Sequence, residues 1–438
     1  MTSPQENQAW VCFQEIASKS DFAGLIVQHQ LGMRQRVYGL ATVMGLMIWQ
    51  RLHGGASLAA AVLALPERRR SGKAISLATG AYCPARQRVP TLVVQQVSDD
   101  VFERLRKQAP APPRPVFIVD GTTLRLEQAP ELVEAFPPGH NQHRKNHWPV
   151  LRLVAFHDAH AGLAARPTWG PMYGAAAVSE QHLAEQGLTR LPADAVVLGD
   201  ANFGIFAFAY AVQHSQRPAV LRLTKSRASK ILGPAPDKAG RRKVLWTPSR
   251  QERKAHPDLP AAAQVEGWVA VCKHPLRRSL GSTDKLYLFT TLDQSAKQTL
   301  ALYKLRWNIE TDLRSWKRTV DLHHIHSRSV EVMENELLLA VTAYNLVRTV
   351  MLQAARRSDR PAREFSFAHV QAAVQLALPG LEQACTHRQR QQLMRELVEV
   401  AVPLTLPKRK RKRPSYPRQV WGRGGTFPPH PRPQQVQP

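Results

Sequence analysis

Residues 116–123, Val-Phe-Ile-Val-Asp-Gly-Thr-Thr, carry a carboxylate directly after a short apolar run. The same pattern recurs at residues 195–203, Ala-Val-Val-Leu-Gly-Asp-Ala-Asn-Phe. An apolar run of this length, bounded by turn-forming residues, is typical of a buried β-strand. The two runs therefore predict two buried strands, with Asp120 and Asp200 at their ends.

Strands and helices alternate around these two runs. Further strands are predicted at residues 150–156, 162–168 and 218–223, and helices at residues 179–186 and 203–214. This alternation predicts an α/β domain with a mixed sheet. Sites in open α/β sheets form at the carboxyl ends of strands. Asp120 and Asp200 are therefore candidate site residues, although an aspartate after a strand can equally cap a turn or a helix.

The composition changes along the chain and predicts five segments. The predicted segments are a helical N-terminal, DNA-binding domain (residues 1–110), the first part of the α/β core (111–223), an all-β insertion (224–294), the last part of the core with C-terminal helices (295–406) and a basic disordered tail (407–438). For residues 1–110 an ordinary helical domain with a basic loop stays an open alternative. The tail carries nine Lys or Arg and no acid, with too little apolar content to fold alone.

The net charge indicates which kind of molecule this protein binds. The chain has 438 residues and a formal charge of +27, which indicates a polyanion, with nucleic acid the first candidate. Its four cysteines form no CxxC pair, which excludes a zinc-finger pattern and favours the reducing cytoplasm. We expect no signal peptide and no membrane, because the apolar stretch at residues 38–49 is shorter than the about 20 residues that a spanning helix needs.

A third candidate element is the stretch Tyr303-Lys-Leu-Arg306-Trp-Asn-Ile-Glu310, followed by Lys317. It falls within one long predicted helix, residues 295–321. At about 100° per residue, the four numbered residues lie within an arc of roughly 60°. Arg and Lys grip phosphate oxygens, so this face is typical of a phosphate clamp that also carries a carboxylate. Asp312 falls off the face, and we expect it to be solvated.

Three carboxylates from separated parts of the chain can hold two divalent cations. Oxygen ligands without thiols suit Mg²⁺ or Mn²⁺ rather than zinc. Two such ions about 4 Å apart provide what phosphodiester cleavage needs, namely an activated oxygen, a stabilised leaving group and neutralised charge. Asp120, Asp200 and Glu310 are therefore the candidate catalytic and metal-binding residues.

The spacing Tyr303-x2-Arg306-x3-Glu310-x6-Lys317 resembles the Y-R-E-K signature of bacterial insertion-sequence transposases with a DDE triad, in the insertion-sequence-four group. The four residues after Val119 resemble the family's first-aspartate motif, and the five after Leu198 its second. The likeness spans most of the chain, about residues 25–420.

This resemblance implies an RNase H-like catalytic domain with a β-rich insertion before the last acid. It implies that the three candidate acids bind metal, and that Tyr303, Arg306 and Lys317 contact the backbone of the transposon end. Related enzymes stack a flipped base on a Trp of the insertion, for which Trp246 and Trp268 are the candidates here.

The expected function is therefore that of a DNA transposase. It would bind the terminal inverted repeats of its own element as a homodimer, cut the ends and join the 3′-OH to target DNA with two Mg²⁺ or Mn²⁺ ions. The expected location is the bacterial cytoplasm, at the nucleoid. Two alternatives stay open: a domesticated or inactive transposase-derived DNA-binding protein, and a stand-alone RNase H-like nuclease.

The basic tail yields a first prediction. Clustered cations in a segment that cannot fold bind phosphates without reading bases. Deleting residues 408–438 should weaken binding to all DNA alike and flatten the dependence of log K on log salt, as measured by salt-titrated binding assays. A selective loss of end-sequence preference, with bulk affinity kept, would show instead that the tail reads sequence.

Overall fold

One mixed sheet of eight strands organises the part of the chain that the computed structural model describes, which is residues 37–65, 76–109, 112, 114–139, 147–233, 238–273, 285–384 and 386–407. The strand order is β3-β2-β1-β4-β5-β8-β7-β6. The strands are β1 (Val116–Arg125), β2 (Val150–Asp158), β3 (Thr168–Pro171), β4 (Val196–Gly199), β5 (Ala219–Leu223), β6 (Gly240–Trp246), β7 (Val265–Lys273) and β8 (Lys285–Thr290).

The two apolar runs form neighbouring strands at the centre of this sheet. β1 and β4 pair in parallel, with Ile118 opposite Leu198, and β4 pairs in parallel with β5. Alternate residues of β1 enter two separate cores, Phe117 on one face of the sheet and Ile118 on the other. A strand that is buried on both faces reads as a continuous apolar run rather than as an alternating one, which explains why the sequence predicts it.

Helices cover the sheet and form the region that precedes it. They are α1 (Leu40–Leu52), α2 (Leu58–Leu63), α3 (Tyr82–Gln87), α4 (Thr91–Gln108), α5 (Pro130–Ala135), α6 (Glu180–Leu188), α7 (Phe206–His214), α8 (Lys225–Leu232), α9 (Arg250–Ala255), α10 (Ala296–Lys304), α11 (Asn308–Arg314), α12 (Val330–Ser358), α13 (Phe367–Gln383) and α14 (His387–Ala401). The mixed α/β class predicted from the sequence is thus confirmed.

Two predicted strands differ from the observed ones. Asp120 does not end its strand, because β1 continues to Arg125 and pairs along that length with β2. The strand predicted at residues 162–168 instead begins at Thr168. The apolar residues before Thr168 are nevertheless buried, so their hydrophobicity reflects the core and not a strand.

Residues 224–294 continue the sheet. β8 pairs antiparallel with β5, and β7 and β6 follow in order. The segment was expected to be all-β, yet it also contains α8 and α9. The sequence Ser249-Arg-Gln-Glu252 signals the second of these, because Ser249 and Glu252 form a capping box at its start.

The helices before the sheet pack on the long helix α12. A buried carboxylate on α12, that of Glu336, pairs with both Arg51 and Arg86, its Oε2 lying 3.1 Å from an Arg51 guanidinium nitrogen. By internal contacts, residues 1–405 form one unit and residues 406–438 a second, of which only Leu406 and Pro407 are described. The predicted disordered tail, residues 408–438, lies outside the described residues.

One described helix, α12, is long and apolar enough to cross a membrane. In the most apolar 18-residue window of α12, 89% of the residues are buried inside the protein. This burial is typical of the core helix of a globular protein, and the helix carries the charged residues Glu336 and Arg348.

A buried ion cluster joins α11, α12 and β2. The Asp312 carboxylate is fully buried and accepts hydrogen bonds from Arg348 and, at 2.6 Å, from Arg363. Burial alone would raise the pKa of Asp312, but the two guanidinium groups outweigh it and hold the pKa below its usual value. The expectation that Asp312 is solvated was therefore wrong, because its counter-charges come from distant parts of the chain.

His157 lies against this cluster, with its Nδ1 3.6 Å from Asp312 Oδ2. Its imidazole is fully buried between the rings of Trp316 and Tyr344. Burial lowers the pKa of His157 to about 4, against a partial opposing effect of Asp312. The folded protein therefore holds this imidazole in its neutral form.

This histidine predicts a pH dependence of stability. In the unfolded chain His157 binds a proton near pH 6.5, whereas in the folded protein it does so only near pH 4. Protonation thus favours unfolding, and up to about 3 kcal/mol should be lost as the pH falls through this window. His157→Leu should remove that part of the slope in denaturant unfolding measured from pH 7 to pH 4. Parallel profiles for the two proteins would contradict it.

Candidate active site

The β1–β4 register brings Asp120 and Asp200 to the same level of the sheet. Each lies two residues beyond the pair Ile118 and Leu198, at the point where β4 ends. The Oδ1 of Asp120 accepts a hydrogen bond of 2.9 Å from the Gly121 backbone N–H. The Oδ1 of Asp200 accepts one of 2.8 Å from the Asn202 backbone N–H.

The two carboxylates lie close enough to interact electrostatically. The pKa of Asp120 is raised to about 6, first by burial and second by the charge of Asp200. Arg306 acts in the opposite direction on Asp120. Lys317 is also close: burial lowers its pKa, and the Asp120 carboxylate counteracts this effect. A pair of acids and a pair of cations thus share one site.

The stretch predicted as one helix at residues 295–321 is helical from Ala296 to Thr319, but it is not a uniform α-helix. α10 ends at Lys304, a 3₁₀ turn covers Leu305–Trp307, α11 follows, and a π turn covers Ser315–Thr319. The rotation per residue is therefore not a uniform 100° along this stretch. Arg306 and Lys317 both act on Asp120, and Arg306 lies beside Glu310.

Tyr303 and Arg306 are largely buried at this site. Burial raises the pKa of Tyr303 to about 12, so its hydroxyl stays protonated. The Tyr303 hydroxyl and the Arg306 Nε have no acceptor among the described residues. The Arg306 guanidinium lies over the Trp307 ring, 4.9 Å from its centroid. Both groups are therefore fixed hydrogen-bond donors that are available to an anionic oxygen.

Glu310 is exposed on α11 and takes part in an ion pair. Its Oε1 lies 3.6 Å from a terminal guanidinium nitrogen of Arg306. At this distance the contact is an ion pair rather than a hydrogen bond. Arg306 thus interacts both with the acid on α11 and with Asp120 on β1.

Comparisons with known proteins identify the family of this chain. The sequence matches the family model of the transposase DDE domain over residues 111–346, more than half of the chain. The chain belongs to the DDE transposases. The transposase InsG of insertion sequence element IS4, from Escherichia coli strain K12, is 25% identical over 370 residues, which cover 82% of this chain and 80% of InsG. The predicted membership of the insertion-sequence-four group and the RNase H-like fold class are confirmed.

The described part of the transposase has oxygen donors of the type that Mg²⁺ and Mn²⁺ prefer, but no complete set of metal ligands. Within the described ranges, no three His, Cys, Asp or Glu side chains are arranged to hold a metal ion. Asp120 and Asp200 converge, whereas Glu310 pairs with Arg306. The donor chemistry fits a hard divalent cation, since the strand register brings two carboxylates to one level of the sheet, where a positive charge stabilises both.

The two candidate tryptophans differ in accessibility. Trp246 is 4% exposed and packs edge-on against Phe206 and Phe289 in the core. This burial speaks against stacking of a base on Trp246. Trp268 is partly exposed, and the Arg241 guanidinium lies 5.6 Å from its ring centroid, so Trp268 remains the candidate.

One acid at the site was missed by the sequence reasoning. Glu180, the first residue of α6, contributes to the electrostatics of Asp120. Its sequence signal is ordinary, because an acid after the N-cap Ser179 is typical of a helix start. Only the fold brings it beside the first-aspartate motif.

Arg306, which is buried, and Lys317, which is half-buried, give a testable prediction for this transposase. Arg306→Ala and Lys317→Ala remove donors beside the acids while leaving the acids in place. A misplacement of about 1 Å at the reacting phosphate can cost on the order of 100-fold in rate, so end cleavage should fall by about that factor in gel assays. Lys304→Ala, which removes an exposed cation next to Tyr303, should cleave as wild type. Equal rates in all variants would assign the two residues a structural role.

Proposed function

We propose that this transposase cuts the terminal inverted repeats of its own insertion sequence and joins the freed 3′-OH to target DNA. Asp120, Asp200 and Glu310 are the proposed catalytic residues. The observation that carries the proposal is the convergence of Asp120 and Asp200 at the end of β4, with Lys317 and Arg306 beside them.

The proposed reaction is a pair of phosphoryl transfers. In the first, a water oxygen bonds to phosphorus at the transposon end, the P–O3′ bond breaks, and the 3′ oxygen leaves as a hydroxyl. In the second, that 3′ oxygen bonds to a target phosphorus and displaces a target 3′ oxygen. Two Mg²⁺ or Mn²⁺ ions, when bound, would neutralise the charge that builds up on the phosphate oxygens.

The side chains of this site suit the proposed roles. Asp120 and Asp200 would hold the cations with their carboxylate oxygens. Arg306, Lys317 and the Tyr303 hydroxyl would orient the scissile phosphate, since the Tyr303 hydroxyl and the Arg306 Nε have no hydrogen-bond partner among the described residues.

The ion pair of Arg306 also suggests how DNA binding would bring Glu310 to the two aspartates. Its ion pair with Glu310 spans 3.6 Å, so a phosphate with shorter, charge-assisted hydrogen bonds competes for the guanidinium. The released Glu310 carboxylate would then join the aspartates. We therefore expect weak metal binding without DNA and tighter binding with it.

The charge of the chain supports the proposed partners. A net charge of +27 favours extended contact with transposon-end and target DNA. Since each end must be cut and the two joined together, we propose a homodimer on two ends. The proposed location is the cytoplasm, at the nucleoid. A decayed, DNA-binding-only protein is less well supported, because the three acids and both cations are all present.

Asp200→Asn tests this function. The change keeps the size of the side chain and removes the charge that would hold the cation. The variant should bind end DNA in a gel shift about as well as wild type, yet neither nick it nor join it to a target in Mg²⁺. Asp194→Asn, on the exposed loop before β4, is the matched control and should remain active. Cleavage by Asp200→Asn at the wild-type rate would refute the proposed chemistry.

A further inference from the structure

A niche beside Asp120 is occupied by the side chain of Glu180. A Cβ added to Gly121 would lie 2.4 Å from Glu180 Cδ and 2.6 and 2.8 Å from its two carboxylate oxygens. These are the three heavy atoms nearest to that position. Only a glycine at position 121 therefore leaves room for this carboxylate next to Asp120.

The loop after β4 holds the same carboxylate from the other side. The Asn202 side-chain amide donates a hydrogen bond to Glu180, while the Asn202 backbone N–H donates to Asp200. Gln181 in turn donates from Nε2 to the Asn202 backbone oxygen at 2.8 Å and to its Oδ1 at 2.9 Å. Asn202 thus links Glu180 directly to the position of Asp200.

A simpler role for Glu180 would be to start a helix. An acid in the first turn of α6 interacts favourably with the helix dipole, and Ser179 already caps this end. That role needs neither a glycine opposite nor an amide from the loop after β4. The niche places the carboxylate beside Asp120, where a further negative charge raises the free energy of the metal-free site.

We propose that Glu180 is a fourth acidic residue of the catalytic centre, a positioning carboxylate that fixes Asp200 through Asn202 and strengthens the binding of a divalent cation. This inference rests on the proposed metal-dependent function. It also assigns a physical reason to two motif residues, Gly121 and Asn202, that flank the candidate acids.

The test is an Mn²⁺ titration of the full-length protein, followed by calorimetry, with and without a duplex that carries the inverted repeat of its element. Residues that support metal ligands from outside typically cost about 10–100-fold in metal affinity when changed. Glu180→Gln should weaken Mn²⁺ binding by a factor in this range, while metal-free DNA binding stays at the wild-type level. Glu185→Gln, on the same helix, is the control and should bind Mn²⁺ as wild type.

A double-mutant cycle tests the niche itself. Gly121→Ala should displace the Glu180 carboxylate and weaken Mn²⁺ binding about as much as Glu180→Gln. In a Glu180→Ala background the added methyl group meets no carboxylate, so Gly121→Ala should cost little more. Strictly additive losses in the cycle would overturn the inference, because the two residues would then act independently.

Asp200→Asn in the same titration distinguishes a failure of the proposed role of Glu180 from a failure of the proposed function. If Asp200→Asn weakens Mn²⁺ binding and Glu180→Gln does not, the role of Glu180 is refuted and the proposed function stands. If neither change affects Mn²⁺ binding, the proposed metal site is refuted together with the role of Glu180. A loss in both variants, with Glu185→Gln unaffected, supports both.

Discussion

The parallel pairing of β1 with β4 is the constraint on which the site depends. It sets Ile118 against Leu198, and from that register Asp120 and Asp200 arrive at one level of the sheet. Two like charges there raise the free energy of the metal-free fold, and the protein offsets this cost with cations. Arg306 and Lys317 come from a single segment that crosses the same end of the sheet.

That segment needs its own anchor, and Asp312 provides it. The Asp312 carboxylate is two residues from Glu310 but points into the protein, where Arg348 and Arg363 neutralise it. A buried charge without a partner would cost several kcal/mol, so α11 cannot rotate without losing this cluster. The two acids of this short helix therefore differ in environment: Glu310 is exposed beside Arg306, whereas Asp312 is buried in the ion cluster.

The sequence predicts much of this architecture because apolar runs report burial. The runs before Asp120 and Asp200 identify central strands, and the Y-R-E-K spacing identifies the family. The sequence does not reveal the changes of helix type between Leu305 and Thr319, since that stretch contains no Gly or Pro to signal them. Nor does it reveal the burial of Asp312 or the place of Glu180, because each depends on partners brought close only by the tertiary fold.

The Asp312 cluster also affects when this part of the protein can fold during synthesis. All three candidate acids are translated by residue 310, but Arg348 and Arg363 follow 36 and 51 residues after Asp312. When α11 has been synthesised but the two arginines have not, the Asp312 carboxylate has no counter-charge and cannot be buried favourably in the core. A copy of the gene truncated between Asp312 and Arg348 would still encode every candidate catalytic acid. It would lack both arginines that neutralise Asp312 and so hold α11, the helix that carries Glu310, in place.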